Sequence, residues 1–159
     1  GRGGIGVGLA VAARVQIETA TAPQGTPAAL LCFTPGTLEI NAAPGKSFQS
    51  TVPLKSSLQH TVTCTRERLP DVYAKPHKHA RYSSSGCRPL VSESWLRRND
   101  AQLELAPGAE SEIAIAGGIP ADAAPGVYEE LLFVKAVAKD SNAAHPIRAF
   151  LRVRFTVTE

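Results

Sequence analysis

Four histidines, three cysteines and several paired carboxylates are the residues of this chain that could do chemistry. His77 and His79 alternate in "KPHKHAR". A metal would need a carboxylate or thiolate beside them, and the flanking lysines repel a cation. They read as solvated loop residues, and no cofactor or metal is expected. His60 falls in phase with the inward face of a strand, as a hydrogen-bonded core histidine would, and His145 precedes Pro146 in a turn. Glu110, Glu112, Glu129 and Glu130 read as outer-face or strand-end residues that form no acid–base pair. "SSSG" at 83–86 lacks the strand-to-helix setting of a nucleophile elbow. "GRGGIGVG" is followed by neither a helix nor a phosphate-binding lysine, so nucleotide binding is not expected. No catalytic site emerges, and the expectation is a non-enzyme.

Two other groups could bind rather than react. Arg66, Arg68, Lys75, Lys78, Arg81 and Arg88 crowd one polar stretch, interleaved with Tyr73 and Tyr82. They form a candidate contact for an anionic cell-surface polymer. The plainer reading is a solvated face or a contact with acidic residues of another subunit. The net charge of +3 is too small to favour nucleic acid. Trp95, the single tryptophan, reads as a core or interface anchor rather than a sugar platform.

Cys32, Cys64 and Cys87 contain no CxxC pair. An odd count suggests one bridge and one remaining thiol, in an oxidising compartment outside the cell. Cys64–Cys87 would close a loop of about 23 residues and stabilise by roughly 3 kcal/mol. Cys32–Cys64 is the competing pair.

The elements that would position these residues are strands. Twelve prolines and thirteen glycines punctuate the 159 residues, and the apolar phase between them is two. Phe48, Val52 and Leu54 share a face, as do Leu58, His60, Val62 and Cys64. "GVYEELLFVKAV" is apolar on both faces from Leu131 to Val134, as a covered central strand would be. "IRAFLRVRFTVT" sends Leu151, Val153, Phe155 and Val157 inward and Arg152 and Arg154 outward. Residues 65–89 read as a long basic insertion between strands. No run reaches the roughly 18 apolar residues of a membrane-spanning helix.

"LELAPGAESEIAIAGGIPADAAPGVYEELLFVKAV" and "LEINAAPGKSFQSTVPLKSS" resemble the extracellular immunoglobulin-like modules of bacterial and archaeal surface proteins and secreted glycosidases. The fold expected is all-β, an immunoglobulin-like antiparallel β-sandwich over 28–159. Pro125 and Gly126 suit a type II turn, and Tyr128 follows with its ring inward and its hydroxyl at the wet rim.

The opening residues stand apart from that body. From Ile5 to Ile17, large aliphatics alternate with glycine and alanine, then with polar residues. Such a strand, left unpaired, would template aggregation. It resembles the donor strands of donor-strand-assembled pili and surface filaments. That resemblance implies an arm at 1–18, a linker at 19–27, and insertion of Ile5, Val7, Leu9, Val11, Val15 and Ile17 into a neighbouring subunit. It further implies a head-to-tail homopolymer of identical subunits, hence an extracellular filament or pilus at the cell surface. Two other readings remain open: a first strand packed in its own sandwich, or the remnant of a secretory signal. The alternative function is a self-contained accessory module of a cell-surface protein, binding glycan or protein.

Overall fold

The computed structural model describes residues 30–67, 84–90, 93–140 and 145–159. Nine strands and no helix occur among them: β1 (Leu31–Phe33), β2 (Thr37–Ala42), β3 (Ser47–Ser56), β4 (Val62–Glu67), β5 (Arg88–Pro89), β6 (Gln102–Leu105), β7 (Glu110–Gly118), β8 (Gly126–Ala138) and β9 (Ile147–Val157). A three-stranded sheet in the order β1-β3-β7 faces a six-stranded sheet in the order β2-β9-β8-β4-β6, with the short β5 also pairing with β8. The expected β-sandwich is what forms.

The first two strands divide between the sheets. Antiparallel pairing with β3 holds β1, whereas β2 runs parallel to β9 from Thr37 opposite Arg152 to Ala42 opposite Val157. Consequently β9 lies between β2 and β8, with partners along both edges. Its alternation follows the sequence phase. Leu151, Val153, Phe155 and Val157 are buried, while Arg152 and Arg154 face the other way and are only partly exposed. Central β8 is buried on both faces from Glu129 to Val134. Leu132 and Val134 join the core between the sheets with Val52, Leu54, Ile115 and Phe155. Each such side chain stabilises the fold by about 1.5–3 kcal/mol.

An aromatic group closes one end of this core. Trp95 packs at a tilt against Tyr128 with ring centroids 4.6 Å apart and against Phe155 at 5.1 Å, and Phe48 lies 5.4 Å from Phe155. Trp95 is therefore a core anchor, as expected. The Tyr128 hydroxyl donates to the Ala124 carbonyl at 2.9 Å, so the ring is inside and the oxygen is at the rim. Gly126 has the expected positive φ, but at 152° it lies well beyond the value of about 80° for a type II turn.

Two expectations on the strands are corrected. His60 is exposed in the bend before β4 rather than buried in the core. The apolar phase continues through Leu58 to Val62, but the chain turns between them. Thr65, Arg66 and Glu67, assigned by sequence to the basic insertion, continue β4 and pair with β8. The arm at 1–18 and the linker lie outside the described residues.

Candidate functional site, an open strand edge

Two adjacent carboxylates on β8 organise the molecule: Glu129 keeps the outer face that the sequence suggests but is buried there, and Glu130 departs from that reading by facing inward. Glu129 and Glu130 are buried, at 0% and 8% exposure, whereas Glu110 and Glu112 are exposed as expected. Successive strand residues point to opposite faces. Glu129 lies on the outer face of the six-stranded sheet, and Glu130 faces between the sheets.

Glu129 is held by charge. Its carboxylate oxygens lie 3.3 Å from Arg152 Nε and 3.4 Å from Arg154 Nη2, and one accepts the Ser84 N–H at 2.9 Å. Arg154 also reaches Glu39 at 2.8 Å and donates to the Ser84 hydroxyl at 2.8 Å. This network ties β2, β8 and β9 to the segment at 84–90. It satisfies a buried charge, whose loss of hydration would otherwise be costly.

Glu130 instead holds a loop. It accepts hydrogen bonds from the Ser94 hydroxyl and, at 3.0 Å, from the Trp95 N–H. Burial pushes its pKa above the usual carboxylate range, against the pull of these bonds and of the Arg66 charge. The anchored loop then runs beside β7. The Arg97 N–H donates to the Ala116 carbonyl at 2.7 Å, and the Gly118 N–H donates to the Trp95 carbonyl at 3.0 Å. Gly117 is required at this crossing, because a Cβ there would stand 2.0 Å from the Trp95 oxygen and 2.6 Å from the Phe48 ring. The Trp95 Nε1–H, buried in the same place, meets no acceptor among the described residues.

The loop seals only the C-terminal part of β7. Because Ala116 and Gly118 bond outward to the loop, the alternation of an antiparallel strand points the backbone groups of Glu110, Glu112 and Ala114 outward too. The bond from the Ser56 N–H to the Ala109 carbonyl confirms the phase, with odd positions turned towards β3. Glu110, Glu112 and Ala114 are all exposed. Among the described residues, one contact is recorded at these outward groups: Arg66 Nη1 donates to the Ala114 carbonyl at 3.4 Å. Beside this edge, a slot of about 230 Å³ opens between the sheets. Cys64, Leu103, Ile113 and Val134 give it an apolar lining, with Arg66 at its rim.

A larger cleft of about 550 Å³ lies on the other side of Arg66. Its walls mix Arg66, Arg97 and Arg98 with Glu67, Glu93 and Glu130. Arg98 pairs with Asp100 at 2.9 Å. The described residues contain no group of three histidine, cysteine, aspartate or glutamate side chains arranged to hold a metal ion.

The remaining sequence candidates divide as follows. Of the basic set, Arg66 lies on the inward face of β4 opposite Val134, whereas Arg88 packs over the Tyr128 ring at 5.5 Å. Their partners are separated by about 20 Å along β8, so these two do not form one patch. Arg68, Lys75, Lys78 and Arg81 lie outside the described residues, as do His77 and His79. The same holds for Ile5, Val7, Leu9, Val11, Val15 and Ile17.

Neither expected disulfide is present: Cys32, Cys64 and Cys87 are all free. Strand alternation explains this. Cys64 points into the core, and burial raises its thiol pKa to about 11. Cys87 is half-buried in the segment at 84–90, which Ser84 ties to Glu129 and Arg154 on the outer face of the same sheet. Cys32 sits between the inward-facing Leu31 and Phe33 and so faces away from the core.

Solved structures share this fold. The PapD-like domain 7 of human CEP192 is 13% identical with a TM-score of 0.51, the match covering 90% of this chain and 92% of that one. A Porphyromonas gingivalis W83 protein of unknown function is 12% identical with a TM-score of 0.50, over 80% and 44% of the two chains. The class 5 fimbriae chaperone CfaA is 11% identical with a TM-score of 0.47, over 81% and 57%. No family model and no curated protein sequence matches this chain. The similarities with a TM-score of 0.50 or above show the architecture alone: an immunoglobulin-like β-sandwich.

Proposed function

We propose that this chain is a self-contained, non-catalytic immunoglobulin-like module of the cell exterior that binds another protein. The observation supporting this reading is the position of β9, paired with β2 on one edge and β8 on the other. A donor strand completes a sheet in which a strand is missing between two others, and β9 already occupies that place in the six-stranded sheet. What the module offers a partner is an outer edge.

The second reading is a filament subunit that donates its N-terminal strand. The period-two run from Ile5 to Ile17 favours it. In that case the arm adds to an outer edge of the next subunit and builds a chain that does not close.

Sedimentation and thermal unfolding of the full chain and of residues 19–159 separate the two. The module reading expects both to be monomeric and to unfold cooperatively at similar temperatures. Fibres formed by the full chain, and abolished by Val11→Asp, would establish the filament reading. A body at 19–159 that unfolds unless an arm peptide is added would overturn the module reading.

A further inference from the structure

The binding surface of such a module can be located, and its ligand class follows from the chemistry of the surface; this step rests on the module reading. We infer that the open edge of β7, from Glu110 to Ala114, takes an extended peptide of a partner protein as an added strand. The partner segment carries aliphatic residues at alternate positions with lysine or arginine between them.

Three observations converge on this edge. The backbone groups of the exposed residues Glu110, Glu112 and Ala114 point outward and, apart from the Ala114 carbonyl that accepts from Arg66, have no hydrogen-bond partner among the described residues, so they can extend the ladder to another strand. The slot beside the edge sets the apolar half of the pattern. A strand added here sends alternate side chains between the sheets, towards Leu103, Cys64 and Val134. Its volume of about 230 Å³ fits aliphatic side chains rather than a folded domain. The exposed carboxylates set the other half. Glu110 and Glu112 lie on the solvent side of β7, where opposite charges on an added strand become cross-strand neighbours. Acidic side chains on an otherwise open edge also repel a second copy of the same edge, which keeps the module from pairing with itself.

The other outer edges are poorer hosts. The strands β1 and β6 have only 3 and 4 residues. The strand β2 has 6 residues and neither described cavity beside it. On β7 itself, the loop from Trp95 to Arg97 stops an incoming strand before Ala116 and so fixes its register.

The test titrates the end-blocked peptide KVKVKV into the isotope-labelled full chain and follows backbone amide resonances. The expected result is saturable binding, with the largest shifts at Glu112, Ile113, Ala114 and Leu103. Reversing the edge charge with Glu110→Lys and Glu112→Lys should weaken KVKVKV by about tenfold and bring EVEVEV into binding. Glu112→Pro removes an outward N–H at a position where an edge strand tolerates proline, and should weaken both peptides without unfolding the protein. Absence of saturable binding, shifts confined to the cleft at Arg97 and Arg98, or affinity unchanged by charge reversal would each overturn the inference. Those failures leave the module reading standing, because that reading is decided separately by sedimentation and unfolding.

Discussion

The two halves of β7 share a strand, a sheet and a partner, yet among the described residues only one has its outer edge bonded to another backbone segment. At Ala116–Gly118 the loop from Trp95 to Arg97 supplies the missing bonds, and Glu130 fixes that loop from across the sandwich. At Glu110–Ala114 the same edge meets solvent, two exposed carboxylates and a slot. The difference shows how an edge is closed: a glycine permits close approach, an aromatic anchors the loop, and a buried acid holds its backbone. Where those three are lacking, the edge stays available.

Removing the anchor should have the largest effect. Trp95→Ala strips the ring from contact with Tyr128 and Phe155 and should cost about 3–5 kcal/mol in denaturant unfolding. Next comes Gly117→Ala, which forces a methyl into the Trp95 oxygen and the Phe48 ring. Overpacking of this kind costs about 1–3 kcal/mol. Its neighbour is the control: at Gly118 an added Cβ meets nothing nearer than the Lys46 carbonyl at 3.7 Å, so Gly118→Ala should cost far less.

The buried acid gives a pH signature. Burial raises the Glu130 pKa in the folded state, so the folded protein keeps a proton that the unfolded chain releases. Its contribution to stability is therefore greatest below the ordinary carboxylate range and declines as pH rises through the raised folded value. Glu130→Gln removes that decline. The variant should gain on the parent as pH rises through this window, read as a difference in urea midpoints taken below and above it. An unchanged difference would contradict the rise of the Glu130 pKa by burial.

The smallest effect concerns the thiols. A chromogenic disulfide reagent should modify the partly exposed Cys32 and Cys87 quickly and the buried Cys64 only as the protein opens. Equal rates at all three would contradict the inward placement of Cys64.

Much of the sandwich was legible in sequence because strand phase is local. Leu151, Val153, Phe155 and Val157 declared their face, and Leu131–Val134 declared a strand covered on both sides. The site was less legible because its bonds are distant. Glu129 and Glu130 read as outer-face or strand-end carboxylates, yet they continue directly into the doubly buried run, and Arg152 and Arg154 point to one shared face. Those neighbours were the available signal for Glu129. Glu130 depends on Ser94 and Trp95, 36 and 35 residues earlier, and no periodicity links them. The consecutive glycines at 117 and 118 did carry a mark of close backbone approach. The cysteines misled because spacing says nothing about facing: the chain distances suited a bridge, and the strand faces forbade it.

Site-resolved amide hydrogen exchange along β7 in the full, unliganded chain tests the open edge most directly. The Gly118 amide, bonded to Trp95, should be protected, while the Glu112 and Ala114 amides should exchange at rates near those of exposed backbone. Strong protection running unbroken from Glu110 to Gly118 would mean that the edge is already occupied, and would contradict the account.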